Sequence, residues 1–168
     1  MRSIKSFITI FGLIVISAVA ISAQTALPSL NGGSIDIQDQ KGKVVILAIG
    51  ASWLPLSGKQ AEYTNVLAKR YTGKNVVVYF VATDSTTAKS KNFASNADIE
   101  KFVAGSKLTV PVLRDSDGAA TLKKFNVDQL PSFVILDKQG NVSSSPFGGI
   151  DPKFDVTIPI SKAVDKLL

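Results

Sequence analysis

The sequence predicts a single α/β domain, and three observations carry that expectation. Val44-Val45-Ile46-Leu47-Ala48-Ile49 is an unbroken apolar run of the kind a strand needs when neighbouring layers cover both of its faces. Val76 to Ala82, reading VVVYFVA, is a second such run. Between them, from Lys59 to Tyr71, the residues Ala61, Tyr63, Val66, Leu67, Ala68 and Tyr71 recur mostly at three- and four-residue spacing, which gives one buried helix face. Strand, helix and strand in that order imply a parallel crossover. The length of 168 residues, with 45% apolar and 19% charged side chains, suits one domain with a substantial core.

The first residues set the expected compartment. Arg2 and Lys5 precede an apolar stretch, Phe7 to Val19, that leads into small residues ending at Ser22-Ala23-Gln24. This pattern predicts a secretory signal peptide over residues 1–23, leaving a domain over residues 24–168 that is periplasmic or secreted. The competing reading is a retained membrane anchor, although the apolar stretch is shorter than the roughly 20 residues a spanning helix needs. Membrane association is therefore expected only through an uncleaved signal segment. Loss of Arg2 and Lys5 lowers the formal charge from +6 by two, to +4. The remaining lysines are scattered, with no basic arm and no interleaved aromatics, which argues against nucleic-acid binding. The chain has no cysteine and no histidine, so an exported form holds no disulfide and its core alone must stabilise it.

Taken in order, Ser34 to Asp39 alternates polar and apolar residues like a short half-buried strand, after Pro28 and the pair Gly32-Gly33. Gln40 to Lys43 is a turn into the first long strand. That strand breaks at Gly50, Ala51 and Ser52, passes Trp53, and runs through Leu54-Pro55-Leu56-Ser57-Gly58 into the helix that Gly73 stops. A strand feeding a loop and then a helix N-terminus is a place where proteins put chemistry. After the second strand, Asp84 to Phe93 is rich in Ser, Thr and Lys and reads as an exposed loop. Ser95-Asn96-Ala97-Asp98 has capping spacing and opens a helix carrying Ile99, Phe102 and Val103 on one face and ending at Gly105. Val110 to Leu113 is a short strand, Asp115 to Gly118 a turn, and Ala119 to Phe125 a brief helix. Leu130 to Asp137 is a strand segment closed by a hairpin turn at Lys138 to Asn141. Thr157-Ile158-Pro159 can cap a terminal helix running to Leu168, since proline is tolerated in a first turn.

Several of these segments together resemble one family. Ala51, Ser52, Trp53 and Pro55 match the A-[ST]-W-C-x-x-C loop of the thioredoxin superfamily, and most closely that of the TlpA-like extracytoplasmic redoxins of AhpC/TSA type. Gly42-Lys43 before the strand, Val110-Pro111-Val112-Leu113 with Asp115, and Leu130-Pro131 leading to Leu136-Asp137 are similar to further family segments. The resemblance covers roughly Lys41 to Phe147. It implies a thioredoxin-like three-layer α/β/α fold, with a mixed central sheet and an N-terminal hairpin. It also implies a family activity, thiol:disulfide exchange, and a cis peptide bond before Pro131 that leaves the backbone of Leu130 open to an extended substrate. A trans proline opening an edge strand is the plainer alternative. The chain departs from the family at both redox positions, which hold Leu54 and Ser57.

Dithiol exchange needs a thiolate at a helix start and a resolving thiol three residues on, so this chain is not expected to perform it unaided. A serine nucleophile needs a neighbouring base, and with no histidine only Lys59 or a folded-in acid could serve Ser57. Helix capping is its ordinary role. Trp53 and Pro55 read either as remnants of a redox loop or as loop packing. The candidate binding residues are Trp53, Leu54, Pro55, Leu56, Leu130 and Pro131, and the candidate partner is an extended peptide or a partner protein. Leu54 could equally turn inward and fill the space of the missing thiols. A binding module, an oxidoreductase by descent and a structural adaptor subunit are the three function classes in play. No cofactor or metal is expected: Asp115-Ser116-Asp117-Gly118 lacks the later ligands of a calcium loop, and Gly148-Gly149 lacks a phosphate loop's partners.

Overall fold

The computed structural model describes residues 26–168, so the signal segment expected over 1–23 lies outside the described residues. In chain order, β1 (Ala26–Pro28) and β2 (Ser34–Asp36) form an antiparallel hairpin. There follow β3 (Val44–Gly50), α1 (Ser57–Arg70), β4 (Val76–Ala82), α2 (Asn96–Gly105), β5 (Val112–Arg114), β6 (Ser132–Leu136), β7 (Phe147–Gly148) and α3 (Thr157–Asp165). The main sheet has the order β5-β4-β3-β6-β7, with β3, β4 and β5 parallel and β6 and β7 added antiparallel. This is the mixed sheet with an N-terminal hairpin that the family resemblance implies. All seven residues of β3 are buried, as an unbroken apolar strand between β4 and β6 requires.

The pleat sorts the core into two clusters. Val44, Ile46, Ala48, Phe80 and Ile135 face a layer made by α1, α2 and α3, through Ala61, Leu67, Tyr71, Ile99, Ile160 and Val164. Val45, Leu47, Ile49, Val81 and Val134 face the other way, onto Leu27, Ile37 and Phe125. That second layer consists of the hairpin, a 3-10 turn at Ile37–Gln40 and the stretch through Phe125. The brief helix expected at Ala119 to Phe125 is a chain of turns, with Leu122 N–H donating to the Gly118 carbonyl at 3.0 Å and Phe125 N–H to Thr121 at 2.9 Å. Each fully buried Leu, Ile or Phe in these clusters contributes roughly 1.5–3 kcal/mol.

Two helix details differ from expectation. Val66 is 48% exposed, and α1 instead buries Ser57, Gln60, Ala61, Tyr63, Thr64 and Leu67, so its inner face is polar at one end. At α3 the capping oxygen comes from Asp155, whose Oδ1 accepts from Thr157 N–H at 2.9 Å and from its hydroxyl at 2.6 Å. The Ser95 and Asp98 capping box of α2 is fully formed. Among the described residues, no helix is long and apolar enough to cross a membrane.

Candidate functional site

The topology gathers the candidate residues at one edge. Because β3, β4 and β5 run parallel, Gly50, Ala82 and Arg114 all end there, and the antiparallel β6 begins there at Ser132. The loops after Gly50 and Ala82 and the one before Ser132 therefore meet.

The loop from Ala51 to Ser57 is tied down by its own polar atoms. Leu54 N–H donates to the Ala51 carbonyl at 3.2 Å, and Ser57 N–H to the Leu54 carbonyl at 3.1 Å. The Ser57 hydroxyl, fully buried, donates to the Ala51 carbonyl. Ser57 is thus the first residue of α1 and a donor, and the expectation that its oxygen caps the helix is corrected. The cap position is Leu56, with no side-chain cap bond, and no acid lies in the first turn. Lys59 is engaged elsewhere, donating to Glu62 at 2.9 Å, and that hydrogen bond holds its ammonium above the ordinary lysine range. Ser57 has no base in contact and does not have the arrangement of an activated nucleophile.

A second anchor comes from a distant segment. Asp84, expected in an exposed loop, is fully buried; its carboxylate accepts from Ser52 N–H at 3.0 Å and from the Ser52 hydroxyl at 2.6 Å. This carboxylate fixes the residue before Trp53. Across the sheet edge, the Leu130–Pro131 peptide bond is cis and Pro131 is buried. The backbone N–H and carbonyl of Leu130 have no hydrogen-bond partner among the described residues.

The six predicted binding residues divide. Trp53 is 52% exposed and Pro55 is exposed, whereas Leu54, Leu56 and Leu130 are half-buried. Leu56 packs against the helical-side core and Leu130 against the other cluster, while Leu54 belongs to neither. Trp53 and Leu130 line a cleft of about 300 Å3 together with Ala51, Thr83, Asn92, Asp117 and Leu122; Leu54, Pro55, Leu56 and Pro131 lie outside its lining.

Sequence reasoning missed Asp84, Asn92, Asp117 and Gln60. An acid directly after a buried strand, at the edge where parallel strands end, was the available signal for Asp84. Gln60 is fully buried, and its Nε2 donates to the carbonyls of Ile49 at 3.1 Å and Ser132 at 2.9 Å, joining β3 to β6 beneath the site. Its Oε1 and the Ser132 hydroxyl have no hydrogen-bond partner among the described residues. Gly50 has no room for a side chain, since a Cβ there would lie 2.3 Å from Gln60 Oε1. Among the described residues no group of acids has the arrangement of a metal site.

Comparison with known proteins agrees with this architecture. The AhpC/TSA family pattern matches residues 19–145. The thiol-disulfide oxidoreductase ResA of Bacillus thuringiensis subsp. konkukian is 33% identical over 113 residues, covering 67% of this chain and 60% of that protein. The thioredoxin-like protein YneN of Bacillus subtilis is 30% identical over 128 residues, covering 76% and 70%. Among solved structures, the pneumococcal exposed lipoprotein thioredoxin Etrx1 of Streptococcus pneumoniae superposes with a TM-score of 0.67 at 26% identity, over 86% of this chain and all of that one. The putative thiol:disulfide interchange protein DsbE of Chlorobium tepidum superposes at 0.68 with 24% identity, over 84% and 93%, a likeness of fold. The chain thus belongs to the AhpC/TSA family and has the thioredoxin-like fold of its thiol-disulfide oxidoreductases, and it contains no cysteine.

Proposed function

We propose that this is an exported thioredoxin-fold protein that holds an extended peptide or partner segment and performs no dithiol exchange. The observation that supports it most is the pairing of an exposed Trp53 with the unpartnered backbone of Leu130 across one cleft, in a chain with no cysteine. Unpaired main-chain groups beside an apolar pocket suit strand addition, in which backbone bonds give affinity and the pocket gives selectivity. Export through residues 1–23 belongs to the same reading, and a similar solved protein is described as an exposed lipoprotein.

The test has two arms. Reduction of insulin disulfides with a dithiol donor stays at the buffer rate, because no sulfur is present except Met1. An extended apolar peptide changes the emission of Trp53, the chain's sole tryptophan, and Trp53→Ala weakens capture by roughly 1–3 kcal/mol. A reproducible protein-dependent rate in the first arm, or no saturable response in the second, overturns the proposal. The half-burial of Leu56 makes it a poor probe, since Leu56→Asp would disturb the core as well as the surface.

A further inference from the structure

We propose that the cleft selects a cationic side chain, lysine or arginine, on the peptide it holds, seated between the Trp53 ring and the Asp117 carboxylate. This inference rests on the peptide-holding reading above and adds the chemistry of the residue recognised. Trp53 and Asp117 line the same cleft, whose apolar walls are Ala51, Leu122 and Leu130. A lysine or arginine has a matching shape, with an aliphatic stem for such walls and a charged head for an aromatic face and a carboxylate.

Asp117 is held for this role by several contacts. Its backbone is in the left-handed region at φ +58°, and its N–H donates to the Thr83 carbonyl at 3.1 Å. One carboxylate oxygen, Oδ2, accepts from Ser85 and Ser116 hydroxyls, each at 3.1 Å. The other, Oδ1, has no partner, and Asp117 makes no ion pair with any described residue. The nearby acids are committed: Asp84 to Ser52, and Asp115 to the backbone N–H groups of Ala120 and Thr121 and the Thr121 hydroxyl. Arg114, whose guanidinium lies at this edge, is buried and donates to the carbonyls of Ala94 and Asp84, not to a carboxylate. A chain with net charge +6 thus carries an unneutralised carboxylate beside its exposed tryptophan, and attraction of a cation is the complementary use.

The probe is a set of three extended heptapeptides with apolar flanks and lysine, norleucine or glutamate at the centre, titrated against the purified full chain by Trp53 fluorescence. The lysine peptide binds about tenfold tighter than the norleucine peptide at low salt, and the preference narrows as salt is raised. Asp117→Asn removes the preference for the lysine over the norleucine peptide; asparagine tolerates the left-handed backbone, so the variant folds. Equal binding of lysine and norleucine peptides, or a preference that survives Asp117→Asn, overturns the cation inference and leaves the peptide-holding reading intact. Failure of all three peptides to bind overturns both.

Discussion

The two ends of α1 are built on different principles. At the C-terminal end, Leu67 and Tyr71 are buried in the apolar core, Lys69 and Arg70 complement the helix dipole, and the Tyr71 hydroxyl and Arg70 both reach Asp165 at 2.9 Å. At the N-terminal end the polar Ser57, Gln60 and Thr64 are buried beside Ala61 and Tyr63, the cap is bare, and one amide oxygen has no partner among the described residues. A helix under selection for stability alone would carry a side-chain cap and an apolar inner face at both ends. The difference teaches that the N-terminal end is not built for stability alone: it has an open dipole end and a preceding loop anchored by Asp84, just past β4.

The largest expected effect sharpens that contrast. Gln60→Ala removes the side-chain hydrogen bonds to the carbonyls of Ile49 and Ser132 and leaves a void, and chemical denaturation should register a loss of about 2–4 kcal/mol. Gly50→Ala drives a Cβ against the same amide and should cost about 1–3 kcal/mol. In the Gln60→Ala background that second cost should largely vanish, since the clashing atom is gone, and strict additivity would break the packing account.

The smallest effect lies at the other end. Tyr71→Phe removes a hydroxyl hydrogen bond and should cost about 1 kcal/mol at neutral pH. The Tyr71 hydroxyl first, and Arg70 second, hold the Asp165 carboxyl below the ordinary aspartate range. A depressed carboxylate contributes stability above its unfolded range and loses it as pH falls through the folded value. The penalty of Tyr71→Phe should therefore shrink as pH falls through the lowered Asp165 value, and denaturation curves of both proteins at neutral and acid pH check the sign.

What the sequence made legible follows the range of the interactions involved. β3, β4, the capping box of α2 and the turn after Asp137 rest on local patterning, and they stand where the residues place them. The polar contacts that shape the site join residues far apart in the chain: Asp84 to Ser52, Gln60 to Ser132, Asp117 to Ser85. No local period marks such pairs. A buried glutamine in a helix reads as a break in the apolar face, and an aspartate before a Ser- and Thr-rich stretch reads as the start of a loop. The burial of Leu56 is unmarked for a related reason, because it finds a core neighbour only once α1 is docked on the sheet.

Restoring the thiols tests most directly whether the N-terminal end of α1 is still a site. In Leu54→Cys with Ser57→Cys, the absorbance of thiolate followed across pH should show the thiol at position 54 ionising well below the ordinary cysteine value of about 8.5, because it lies at the open dipole end of the helix. Two thiols that both titrate at or above that value would contradict the account, and would make the loop a packed turn with nothing of the redox site left in it.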